Sequence, residues 1–175
     1  MPSPTATYAD IDGRPIVRFE RTFPHPVTEV WDAITDPARL ETWFPTTVEF
    51  AALAPGEPIA FRFADDRYPP MAGEFRAVQP PERLQFTWAD DVLTFELEPA
   101  GGGAACRLSF EVVLDAADKA ARDSAGWDQC LDNLALVAAG RPVQRPSDTA
   151  GWQVYYDEVP AARIPRHGGD SSAVT

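Results

Sequence analysis

Histidine and cysteine are scarce in this chain, with two of each among 175 residues. Cys106 and Cys130 are too few for a disulfide scaffold or a cysteine zinc site. Both stand among apolar neighbours and read as small core residues. His25 falls at an expected helix start and His167 in an expected tail, and neither has a partner set around it. The chain has no HExxH, no CxxC pair and no set of two histidines with a carboxylate, so no transition metal is expected. It has no GxGxxG and no P-loop. Gly101, Gly102 and Gly103 precede a strand rather than a helix, which makes them a turn and not a phosphate cradle. Ser109 and Ser124 have no histidine tied to them, and the two thiols have no base. No cofactor is implied.

Positive charge is also short. The formal net charge of −12 disfavours a nucleic acid or an anionic membrane surface as partner, because both need a basic patch. No apolar run approaches the roughly 18 residues of a membrane helix. The first residues, MPSPTATYADIDG, carry neither the basic region nor the apolar core of a secretory leader, so a cytoplasmic location is expected. A length of 175 residues fits one domain. A domain of that size can bury roughly 70% of its unfolded surface without a metal or a disulfide.

What the chain does have is a long helical pattern at 117–139, ADKAARDSAGWDQCLDNLALVAA. At about 100° per residue, Leu131, Leu134 and Ala138 fall within roughly 40° of Trp127, with Cys130 and Val137 flanking. Asp128, Gln129, Asp132 and Asn133 fall on the other side. The apolar stripe is well formed only from Trp127 onward. Gly140 and Pro142 end the helix.

Strand patterns precede it. Residues 5–11 read as an edge strand, and Asp12-Gly13 is a hairpin dipeptide. In 16–23, Val17, Phe19 and Phe23 share a face, and Arg21 shares it with them. A helix is expected at 26–35, with Pro26 as its first residue and Val27, Val30, Trp31 and Ile34 on one side. Asp36 caps a second short helix that begins at Pro37, bears Leu40, Trp43 and Phe44, and stops at Pro45. Short strands then follow at 47–51, 58–64, 73–78, 83–88, 92–98 and 106–114. Phe75 and Ala77 are expected inward, and Asp90-Asp91 is expected to turn. Short connections between half-polar strands mean an antiparallel meander with one wet face, and the long helix covers the dry one. The fold class is α+β. Residues 141–150 read as a linker, 152–159 as a short helix docked on the body, and 159–175 as a disordered tail.

With these elements in this order, the chain resembles the helix-grip, START-like superfamily, also called SRPBCC. It is most similar to the branch named after the activator of the ninety-kilodalton heat-shock chaperone's ATPase. The matching pieces are RFERTFPHPVTEVWDAITDPARLETWFP at 18–45, MAGEFRAVQPPERLQFTWADDVLTFELEP at 71–99 and AGWDQCLDNLALVAAG at 125–140. The similarity spans one START-like domain at 12–158, with 1–11 as an N-terminal arm or edge strand. It implies a curved sheet gripping the C-terminal helix, with an apolar cavity between them. Many members of such a family have no assigned activity. The branch's name does not carry its function here.

The expected cavity lining is aromatic: Trp43, Phe44, Phe61, Phe75, Trp88 and Phe95. Phe110, Trp127 and Leu131 continue it. Two polar residues, Arg21 and Asp123, fall on inward faces and are the candidates to form a structural ion pair with some other partner or to orient a ligand's polar group. No residue is assigned a catalytic role. Binding of an apolar small molecule ranks first. A protein-interaction or co-chaperone role, with an unidentified protein partner, ranks second. Cyclase, dehydratase or hydrolase chemistry on an apolar substrate, with Asp123 as the acid–base candidate, ranks third.

Overall fold

The computed structural model describes residues 6–64 and 68–143. The expected helix at 152–159, the tail at 159–175 and most of the 141–150 linker lie outside the described residues. Eight antiparallel strands form one curved sheet: β1 Thr7–Ile11, β2 Arg14–Phe23, β3 Thr47–Glu49, β4 Pro58–Arg62, β5 Met71–Gln79, β6 Arg83–Trp88, β7 Asp91–Ala100 and β8 Ala105–Val113. Their order across the sheet is β1-β2-β8-β7-β6-β5-β4-β3. Two short helices, α1 Val27–Thr35 and α2 Pro37–Trp43, follow β2, and the long helix α3 Ala120–Ala138 follows β8. This is the α+β helix-grip arrangement.

Local chemistry sets the boundaries. Asp12 and Gly13 both take positive φ, 53° and 77°, so the two-residue turn matches the twist of β1 and β2. Asp36 Oδ1 accepts from the Ala38 N–H at 2.9 Å, which caps α2, and Pro37 stands where no N–H is needed. Pro26 is the N-cap of α1 rather than its first residue. Its extended backbone, with ψ at 152°, keeps it outside the helix. Gly140 closes α3 at φ 65°. Its N–H reaches the Val137 carbonyl at 3.0 Å, and the Arg141 N–H reaches Leu136 at 2.8 Å.

Side chains alternate as the strand period requires. Leu84, Phe86, Leu93, Phe95, Leu97, Leu108, Phe110 and Val112 are all buried. Registers Phe86↔Leu93, Phe95↔Phe110 and Phe19↔Phe110 lay them side by side across the concave face. The other face is polar and holds the Arg18–Glu111, Arg107–Glu98 and Arg83–Glu96 ion pairs. One inward expectation fails. A bulge between Phe75 and Ala77 shifts the register, so Ala77 pairs with Gln85 on the polar side, and Val78 pairs with Leu84 on the core side.

Phe44 is the centre of the aromatic core. Its ring centroid lies 5.1 Å from Trp88, 5.5 Å from Trp127 and 6.0 Å from Phe61. The Trp88 pair is edge-on, the Trp127 pair tilted and the Phe61 pair stacked, and such contacts add to the stabilisation that burial supplies. Trp43 is held by its indole N–H, which donates to the Ala33 carbonyl at 2.8 Å. Gly73 is dictated by packing: a Cβ there would lie 2.2 Å from the Thr87 carbonyl oxygen and 2.7 Å from the Phe61 ring.

Candidate functional site

The first half of α3 does not close fully on the sheet. A cleft of about 800 Å³ remains between it, the end of α2, the β6–β7 turn and the segment that links β4 to β5. Its apolar walls are Trp43, Phe44, Phe63, Met71, Trp88 and Trp127, and the exposed Tyr68 stands at its edge. The polar side is supplied by α3, by Lys119 just before it and by Asp91 at the start of β7. Asp91, Lys119, Arg122, Asp123, Gln129 and Asn133 all border the cleft.

The sequence explains how these groups meet. At about 100° per residue, Gly126, Gln129 and Asn133 form a stripe of their own, roughly 100° or more round the helix from Trp127. Trp127 can therefore seal the core while its neighbours face the cleft. Asp91 shares strand parity with Leu93 and Phe95 and is therefore buried. The turn lies one residue earlier than expected, at Ala89 and Asp90, with Trp88 opposite Asp91.

Charges at the cleft are paired. The Lys119 Nζ donates to both Asp91 carboxylate oxygens at 3.0 Å and also to Asp115 Oδ1. Asp91 Oδ1 accepts the Asp115 backbone N–H at 2.9 Å. Burial pushes the Asp91 carboxyl above its ordinary value, against the opposing pull of the Asp115 N–H and the lysine. The hydrogen bond from Lys119 holds the exposed Asp115 carboxyl below its ordinary value. Burial would lower the Lys119 ammonium, but its bonds to Asp115 and Asp91 outweigh that and raise it. Arg122 Nε donates to Asp123 Oδ1 at 2.7 Å, and this bond raises the guanidinium.

The expected site residues divide into two groups. Trp43, Phe44, Trp88, Asp123 and Trp127 border the cleft. Phe61, Phe75, Phe95, Phe110 and Leu131 are buried in the packed core instead. Arg21 and Asp123 do not come together. Arg21 lies over the Phe19 ring, 5.9 Å from its centroid, and donates to Asp128, while Asp123 is a partly exposed neighbour of Arg122. Asp128 was expected on the outer side of α3, yet it is buried. Gln129 and Asn133, also expected outward, border the cleft. The stripe does not begin at Trp127 either. Ala120, Ala121, Ser124 and Ala125 extend it to the start of α3. A concave sheet covers a wider arc of a helix than a flat partner would, so one side of the first half is buried while the side that carries Gly126 stays open to the cleft.

Sequence reasoning missed Asp91, Lys119, Arg122, Gln129 and Asn133. The parity of Asp91 with Leu93 and the four-residue spacing of Gln129 and Asn133 were the available signals. Among the described residues, no group of histidine, cysteine and carboxylate side chains could hold a metal ion. No helix there is long and apolar enough to cross a membrane.

A family profile described as "Activator of Hsp90 ATPase homolog 1-like protein" matches residues 24–139. EF2215, a conserved protein of unknown function from Enterococcus faecalis, superposes with a TM-score of 0.71 at 20% identity, over 87% of this chain and 88% of its own. CalU16 from Micromonospora echinospora does so at 0.66 and 20%, over 88% and 92%. At that identity the likeness is one of fold. DynU16, described as a protein in the dynemicin biosynthetic locus, matches at 0.62 and 29%, over 73% of this chain and 48% of its own length. No curated protein matches the chain.

Proposed function

The chain belongs to the activator of Hsp90 ATPase homolog 1-like family, and on that premise we propose that it is a small-molecule binding protein with its ligand seated in the cleft beside α3. The observation that carries this reading is the cleft itself. A volume of about 800 Å³ falls within the range of ligand sites, and its walls are aromatic with a few polar groups along one side. Trp43, Phe44, Trp88 and Trp127 supply apolar contact, while Asp123, Gln129 and Asn133 offer hydrogen bonds. A structural neighbour in a biosynthetic locus accords with a small organic ligand.

Catalysis has less support. Arg21 and Asp123, the two polar groups singled out for it, do not converge. An interaction surface also has less support. Among the described residues, the large apolar side chains at the surface are Ile11 and Tyr68. These two do not make a patch of the size that marks a protein interface.

Native mass spectrometry of protein purified from its own host tests the reading. A retained mass lost on Trp88→Ala is the expected result. A clean apo mass over repeated preparations, with no saturable binding of apolar probes, would sink it.

A further inference from the structure

Two interior glycines of regular elements invite comparison. Gly73 has no room for a Cβ, as its 2.2 Å approach to the Thr87 carbonyl requires. Gly126 is the opposite case. It sits in the middle of α3 with ordinary helical backbone, and apart from its two chain neighbours and the backbone of its own helix no atom of the described residues lies within 4 Å of where its Cβ would be. Neither turn geometry nor packing calls for glycine there. Glycine in a helix interior is unfavourable relative to alanine. The open space beside Gly126 is the cleft.

We infer that Gly126 is the specificity-determining position of the cleft: it leaves the helix backbone bare so that a flat, uncharged ligand lies directly against it. This inference rests on the binding role proposed above and adds where the ligand sits and what kind of molecule it is. The geometry around Gly126 supports both parts. Trp127 and Trp88 line the same cleft edge to face, with ring centroids 5.8 Å apart, and they supply apolar contact for a ring system. Gln129 and Asn133 follow on the same stripe of α3, and their side-chain amides make no hydrogen bond to other described residues. Each amide offers a donor and an acceptor to the edge of a ligand.

The charge pattern selects against an anion. Both cations at the cleft are already committed, Lys119 to Asp91 and Asp115, and Arg122 to Asp123. The chain as a whole carries −12. An anionic ligand would meet no spare positive charge there and an unfavourable field. Asp123 is matched by Arg122, so the site does not require a cation either. A neutral planar molecule with hydrogen-bonding groups on one edge fits best.

The test uses the full chain and two planar dyes, neutral Nile red and anionic anilinonaphthalene sulfonate. Wild type is expected to bind Nile red saturably and the sulfonate at least about tenfold more weakly, a difference that charge discrimination readily supplies. Gly126→Ala is expected to raise Tm by about 2–4 °C, because it improves the helix without meeting any neighbour. The same variant should weaken Nile red binding about tenfold, and Gly126→Leu should abolish it. A Tm that falls in Gly126→Ala overturns the inference, because the glycine would then serve the fold. Unchanged Nile red affinity in both variants overturns it while leaving the cleft's binding role standing, as does equal affinity for the two dyes. Absence of saturable Nile red binding by wild type removes the binding role and the inference together.

Discussion

The Arg21 guanidinium on β2 donates to the Asp128 carboxylate on α3, joining residues 107 positions apart in sequence. Both side chains are largely buried, at 15% and 7% exposure. The pair locks the start of the sheet to the middle of the covering helix. Removing one partner leaves a buried charge without that bond, so Asp128→Ala is expected to cost about 3–5 kcal/mol in urea unfolding. The double variant Arg21→Met with Asp128→Leu should recover most of the loss, because an apolar pair of similar volume removes both desolvated charges. Equal losses in the single and double variants would show that the ion pair contributes nothing specific.

The Asp91, Lys119 and Asp115 cluster ties the β6–β7 turn to the start of α3, and it gives stability a dependence on pH. Lys119 is raised above its ordinary 10.5 in the folded chain. Its contribution is therefore complete below about pH 10.5 and is lost as pH climbs through the higher folded value. Asp115 is lowered from 3.8, so its contribution is present above that value and is lost as pH falls through the lower folded one. Asp91 is raised from 3.8, so the ionisation of its buried carboxyl works against folding as pH rises through its folded value. Lys119→Met should flatten the alkaline part of a stability–pH curve. An unaltered curve would place the lysine outside the folding linkage.

Trp127 contacts Phe44, Trp88 and Phe110 with centroid distances of 5.5, 5.8 and 5.4 Å. Truncation to alanine should cost about 3–5 kcal/mol, read as a lower denaturation midpoint at unchanged slope. Trp127→Phe keeps most of the apolar area and should cost clearly less. A loss well under 1 kcal/mol in Trp127→Ala, against the few kcal/mol usual for a buried ring, would mean that the ring is not a core element.

Gly73→Ala puts a methyl carbon against the Thr87 carbonyl, a backbone atom that cannot swing aside. Strands β5 and β6 would have to part, with an expected loss of about 1–3 kcal/mol. The bond from the Glu74 N–H to Thr87 Oγ1, 2.9 Å long, lies at the same point and should exchange its amide hydrogen faster in the variant. Wild-type exchange at Glu74 in the variant would contradict that account.

Much of the architecture is written in short-range chemistry. Asp12-Gly13 turns, Asp36-Pro37 caps and Gly140 terminates because each satisfies a local backbone requirement that needs no distant partner. Alternation in β6, β7 and β8 likewise assigned Leu84, Phe95 and Phe110 to the core, because the strand period is rigid. The candidate site was only half legible. Trp43, Phe44, Trp88, Asp123 and Trp127 were picked out as lining residues and do border the cleft. The inward or outward sense of Asp128, Gln129 and Asn133 was misjudged, because a helical wheel has no knowledge of how far the partner surface wraps.

By itself, then, the sequence determined eight strands and a long covering helix, because period and turn chemistry act over a few residues, while the pairing of β2 with β8 joins distant segments. Tertiary structure alone decided three things. The bulge after Phe75 exchanged Ala77 for Val78 on the core side, since register is settled against a partner strand. Packing of β2 against α3 gave Arg21 the partner Asp128, which no local pattern names. Packing left Gly126 facing open space instead of a neighbour. Each of these depends on the spacing of surfaces brought together from distant parts of the chain, and no local pattern encodes that spacing.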